Sequence, residues 1–188
     1  MRTRTAAQRI AISWRASSRG LSEAPLRRAL AAFLAGLGYP AAGLDVVFAG
    51  DALLRRLNAR HRGRDAPTDI LSFSYLEPGP APALLGVLAV SLPRARRQAR
   101  GNGWEARTEV LRLLAHGCAH LAGYDHATAR EDRAMRRVEE GLLERVGVRG
   151  LYPPAPGRPR RKQAARAAQP AGRACATPAP ARRPRPRA

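Results

Sequence analysis

The chain has 188 residues, and its 34 basic and 14 acidic side chains give a formal charge of +20. That length holds one domain with a sizeable core and excludes two comfortable ones. A strongly basic surface attracts polyanions, but every basic residue except Lys162 is arginine, and Ala, Gly and Pro are abundant, a pattern that codon bias in a GC-rich genome also produces.

The first twenty residues are arginine-rich and free of acids, as a transit peptide is, yet Arg9 to Trp14 alternates as a strand, with Ile10, Ile12 and Trp14 on one face. "SEAPLRRALAAFLAGLG" places Leu26, Leu30, Phe33, Leu34 and Leu37 on one helical stripe that ends at glycine. Leu44 to Ala49 reads as a buried strand. Asp51 is placed to cap a second helix bearing Leu53, Leu54 and Leu57, which runs into the polar stretch "HRGRDAPTD". Ile70 to Tyr75 and Leu84 to Ser91 are two further strands, set to pair as an antiparallel hairpin across a long Pro/Gly loop. A short basic helix starts at Pro93, a longer one covers about Trp104 to Leu121, and Thr128-Ala129-Arg130-Glu131 is a capping box that opens the last. The predicted fold is therefore α/β (α+β), a small mixed sheet packed with helices, over residues 1–150. From Leu151 the chain has no periodicity and no acid, and it carries ten basic residues, so 151–188 is predicted to be a disordered Pro/Ala/Arg-rich tail.

Cys118 and Cys175 show no sign of pairing, and neither a secretory signal nor a membrane span is expected, which predicts a cytoplasmic protein.

"AHGCAHLAGYDH", Ala115 to His126, holds three of the four histidines. A helix turns about 100° per residue, so His116 and His120 share a face and can aim ring nitrogens at one ion. Gly123 lets the helix end in a left-handed residue and swing His126 back as a third ligand. Three imidazoles suit zinc or another late divalent metal and leave the fourth position for water, the arrangement of catalytic sites. Cys118 lies about 200° around the helix from His116 and reads as core. Asp125 either holds a histidine ring as an acceptor behind the metal or caps the turn before the last helix. Zinc proteases with this spacing carry a glutamate base after the first histidine; here that residue is Gly117, which disfavours peptide hydrolysis. Phosphodiester cleavage, which relies on a Lewis acid and on arginines that neutralise phosphate, stays open.

"HGCAHLAGYDH" resembles the H-G-x-x-H-L-x-G-Y-D-H signature of the YbeY family of single-strand-specific endoribonucleases, which act in ribosomal RNA maturation and ribosome quality control. "LNARHRGRDAPTDILSF", Leu57 to Phe73, is similar to a second block of that family. The resemblance covers about Ile10 to Gly150. It implies a zinc-dependent endoribonuclease with His116, His120 and His126 as metal ligands and Arg62 as the arginine important for activity and RNA contact. The implied partners are single-stranded RNA, ribosomal RNA and the ribosome. Thr68, Asp69 and Ser72 are expected to fix the loop and the start of the strand rather than to touch substrate. The chain departs from the family pattern at Val87, where an aspartate is typical, at Ala119, where leucine stands, and at Ser74, where proline is common. An aspartate that orients substrate or a ligand would thus be missing. The alternative functions are a non-catalytic ribosome assembly factor with a structural metal and a metalloprotease.

Overall fold

The computed structural model describes residues 9–152. The expected tail lies outside the described residues, except for Leu151 and Tyr152, which pack against the core.

Four strands, β1 (Ile10–Trp14), β2 (Gly43–Ala49), β3 (Ile70–Ser74) and β4 (Leu84–Ser91), form one mixed sheet in the order β1-β2-β4-β3. β1 and β4 both run parallel to β2, and β3 pairs antiparallel to β4 with Ile70 opposite Val90 and Ser74 opposite Gly86, the hairpin expected from the sequence. Among the described residues five helices pack with the sheet: α1 (Glu23–Gly36), α2 (Asp51–Arg62), α3 (Leu92–Asn102), α4 (Ala106–Leu121) and α5 (Ala129–Glu144).

Strand side chains alternate between two faces, and here the faces differ in what covers them. Leu44, Val46 and Phe48 of β2, with Leu88 and Val90 of β4, join the main core under α1 and α4. Val47, Ala49, Val87 and Ala89 point to the other face, where α2 packs beside β3 and β4. α1 supplies Leu26, Leu30, Phe33 and Leu34 to the main core as its stripe requires. Burying each such side chain contributes about 1.5–3 kcal/mol.

α4 is the central helix. Val110, Leu111, Leu113, Leu114, Cys118, Ala119 and Leu121 are all buried, so only a narrow face remains for its histidines. Ala119 is fully buried in the position where the resemblance expects leucine. Ser74 donates its hydroxyl to the Leu121 carbonyl at 2.8 Å, tying β3 to the end of this helix.

One local expectation is corrected. Asp51 does not cap α2; the N-cap is Gly50, and the Asp51 carboxylate instead accepts from the Ser91 hydroxyl and from Arg97 at 2.8 Å. Ser91, fully buried at the end of β4, itself caps α3 by accepting from the Arg94 amide, so its hydroxyl joins two helix starts. The capping box of α5 forms as read, with Thr128 and Glu131 bonded reciprocally.

Candidate metal centre

The end of α4 builds the site. Gly123 has φ +88°, its amide donates to the His120 carbonyl, and the Tyr124 amide donates to the Ala119 carbonyl. This is the Schellman pattern, which needs a left-handed residue and favours glycine there. It turns the chain back over its own last turn, and His126 returns to the face that carries His116 and His120. One ring nitrogen from each histidine lies within 4.8 Å of the other two.

Two of the rings are held from behind. The Nδ1 of His116 donates to the Glu139 carboxylate of α5 at 2.7 Å, and the Nδ1 of His120 donates to the Tyr124 carbonyl at 2.9 Å. Each bond places a proton on Nδ1 and leaves Nε2 as the nitrogen available to a metal. A carboxylate or carbonyl behind a ligating histidine fixes tautomer and orientation and raises ligand basicity. Burial and the neighbouring imidazoles of His116 and His126 keep the His120 ring below the ordinary histidine pKa, against the opposing bond to Tyr124, so at neutral pH it is uncharged. The donor set, three imidazoles with converging lone pairs, fits a divalent transition metal.

Glu139 is 5% exposed. Burial works against its charged form, but hydrogen bonds from His116 and from the Tyr152 hydroxyl outweigh it and hold the carboxyl below the usual glutamate range. Tyr152, whose ring lies beneath the Arg136 guanidinium, has its own pKa raised by burial and by this bond.

The histidines lie in a cleft of about 740 Å³ that also presents Arg62, Arg64, Ser72 and Ser74. Arg62 is the last residue of α2, and Gly63 ends that helix with φ +66°. The loop that follows is pinned twice: Asn58 donates to the Ala66 carbonyl at 2.7 Å, and Arg55 makes a two-pronged pair with Asp65 at 2.6 and 2.7 Å. Neither Arg62 nor Arg64 has an ion-pair partner among the described residues. Both are exposed, so their charges are available to an anion in the cleft.

Asp125 also borders the cleft, but its carboxylate accepts the backbone amide of His126 at 2.8 Å. It shapes the turn, and the acceptors behind the rings are Glu139 and the Tyr124 carbonyl. Thr68 and Asp69 behave as the sequence implies: Asp69 accepts from the Ile70 amide at 2.9 Å, from Gln98 at 2.9 Å and from Thr68. Val87 is remote from the histidines, because it projects from the opposite face of the sheet. The substitution there removes nothing from the three histidines or from the groups that hold them.

Gly117 has a packing reason. A Cβ on it would lie 2.7 Å from Cδ1 of Ile70 and 2.8 Å from Cδ2 of Leu88. The position therefore faces the sheet, and a glutamate placed there would run into β3 and β4 rather than reach the cleft.

Sequence reasoning missed Arg64, Glu139 and Tyr152. Arg64 lay in the same basic block as Arg62. Glu139 falls on the buried stripe of α5 with Met135, Leu142 and Leu143, and an acid on such a stripe calls for a partner. Tyr152 carried no signal.

The family model described as Endoribonuclease YbeY matches residues 16–147. The Endoribonuclease YbeY of Desulforamulus reducens is 45% identical over 118 residues, spanning 59% of this chain and 77% of that protein. That of Thermus thermophilus is 45% identical over 120 residues, spanning 63% and 86%. The solution structure of TM1509 from Thermotoga maritima is similar in fold, with a TM-score of 0.53 at 24% identity over 73% of this chain and 88% of that one. With both histidine-bearing and arginine-bearing segments inside the matched region, the chain belongs to the endoribonuclease YbeY family.

Proposed function

We propose that this protein is a metal-dependent, single-strand-specific endoribonuclease that acts on ribosomal RNA at the ribosome, in the cytoplasm. The observation that carries this reading is the convergence of three imidazole nitrogens within 4.8 Å of one another in a cleft that also holds two unpaired arginines. Membership of a family whose relatives are named endoribonucleases supports it.

His116, His120 and His126 hold the ion, and zinc is the metal their donor set suits best. When bound, a zinc ion supplies Lewis acidity to a phosphoryl oxygen and makes water acidic enough to ionise near neutral pH. The chain's own groups do the rest. Glu139 and the Tyr124 carbonyl keep the His116 and His120 rings aimed. Arg62 presents a planar fork to a phosphate and stabilises the charge that grows on it in the transition state, with Arg64 beside it. Asp125 sets the turn that delivers His126. The position of a protease base is occupied by Gly117, where a side chain would face the sheet.

The test is cleavage of an end-labelled single-stranded ribosomal RNA fragment by wild type, His120→Ala and Arg62→Ala, with bound metal quantified and circular dichroism recorded for each. Wild type cuts, His120→Ala loses both metal and cleavage while folded, and Arg62→Ala keeps metal but slows cutting by about 100-fold or more. A chelator that unfolds the protein would instead assign the metal a structural role. Equal activity in wild type and His120→Ala would end the nuclease reading.

A further inference from the structure

The sheet has a second open side. On β3, the alternation that turns Ser72 and Ser74 toward the metal cleft turns Phe73 and Tyr75 to the opposite face, where they border a groove of about 980 Å³. Its floor is aliphatic, formed by Val47, Val87 and Ala89 of the sheet and by Leu53 and Leu57 of α2. Its rim carries Arg15, Arg56, His61 and Tyr75. Tyr75 is 52% exposed, the most exposed large hydrophobic residue among the described residues, and the His61 ring stands edge-on to Phe73 with centroids 5.0 Å apart. Arg15 and Arg56 are exposed and make no ion pair among the described residues, and no acidic residue lines the groove.

Charge selects the occupant. A second copy of this chain would bring the same cationic rim, and the arginine-rich segment beyond residue 152 would bring more positive charge, so both are repelled. An anionic partner is attracted. Among anionic partners, single-stranded RNA uses every feature present: bases offer flat apolar faces to Phe73, Tyr75 and His61, and phosphates offer charge to the two arginines. The groove and the proposed active site lie on opposite faces of the sheet and share no lining residue, but they meet at the same two elements. β3 and the last turns of α2 border both, with Leu57 and His61 on the groove side and Asn58 and Arg62 on the cleft side.

We propose that this groove binds nucleotides flanking the scissile phosphate, so that a single strand of RNA engages both sides of β3. The choice of RNA rests on the function proposed above. The groove then governs how tightly a long strand is held, while the cleft governs its cleavage.

The experiment measures fluorescence anisotropy of fluorescein-labelled U12 and U3 with metal-loaded protein on ice, and again with chelator, for wild type, Tyr75→Ala and Arg56→Ala. Both side chains are exposed, and circular dichroism checks that the variants fold. Tyr75→Ala should weaken U12 binding by about fivefold or more through loss of a base stack. Arg56→Ala should lower the slope of log affinity against log salt by about 0.7. U3 binding should change in neither variant. Wild-type affinity for U12 in both variants would overturn the proposal. So would loss of binding to a Glu/Phe peptide with U12 unaffected, which would make the groove a protein-docking surface. Cleavage is scored separately on the same RNA. Groove-dependent U12 binding without cleavage would retire the nuclease function and leave the groove standing; normal cleavage with unchanged U12 binding would retire the groove alone.

Discussion

Replacing Glu139 with alanine removes the acceptor that holds His116, and the expected result is weaker metal binding in a protein that stays folded. Both carboxylate oxygens are engaged, one by His116 Nδ1 at 2.7 Å and the other by the Tyr152 hydroxyl. A hydrogen bond to a charged group contributes about 1.5–3 kcal/mol. Only the His116 bond acts on the ligand; without it the ring regains both its second tautomer and its rotational freedom. Losing such a partner costs a metal site about 10–100-fold in affinity, or about 1.4–2.8 kcal/mol. The two figures agree, so one charge-assisted bond accounts for the whole effect. Glu139→Gln should lose less, about tenfold at most, because its amide oxygen still accepts from His116 while the tyrosine hydroxyl turns to accept from the amide nitrogen. The assay is a Co²⁺ titration read by visible absorption against a competing chelator, with melting curves of the metal-free proteins alongside. Wild-type Co²⁺ affinity in a folded Glu139→Ala protein would refute the argument that this carboxylate orients the ligand.

Three further outcomes follow from the same geometry. Gly117→Ala should lower the melting temperature by a few degrees, since crowding Ile70 and Leu88 costs about 1–3 kcal/mol against about 1 kcal/mol gained in helix propensity; an unchanged or raised melting temperature would show that the sheet yields. At Asp69, burial opposes the charge, but hydrogen bonds from Gln98, the Ile70 amide and Thr68 prevail and hold the carboxyl below the usual aspartate range. The native state therefore binds fewer protons than the unfolded chain, and this stabilisation is complete above the unfolded value of about 3.9 and fades as pH falls through the lower folded value. Urea titrations should accordingly show Asp69→Asn losing less stability than wild type on going from about pH 5 to about pH 2. Cys118 is fully buried, and burial pushes its thiol up to about 12, so iodoacetamide followed by peptide mapping should find it unmodified until urea unfolds the domain.

The periodic segments were legible because each element's local pattern matches its own geometry: the α1 stripe, the β3–β4 hairpin and the capping box of α5 all survive into the fold. The histidine cluster was legible for a related reason. Its members lie within eleven residues, so helix pitch and one glycine determine their meeting. What could not be read depends on contacts between distant segments. Glu139 reaches His116 only because α5 folds back along α4, and nothing near either residue encodes that approach. Asp51 misled for the same reason: locally it is a good helix cap, but Ser91 and Arg97, forty or more positions away, take its carboxylate. Gly117 read as a missing base and proved to be a point of close approach to the sheet.

The shortness of the ligand span bears on how the metal and the fold depend on each other. The entropy of closing a loop grows only with the logarithm of its length, so an ion that joins residues a few positions apart, within one helix and its terminal turn, constrains little of the unfolded chain. The long closures are made elsewhere, by β2 meeting β1 and β4 from far along the sequence. The ion is thus a clasp on a finished turn, and its contribution to stability should follow mass action, rising with free metal concentration above the dissociation constant and vanishing below it. A cell short of the metal would accordingly hold a reserve of folded, idle protein that becomes active as soon as the ion returns.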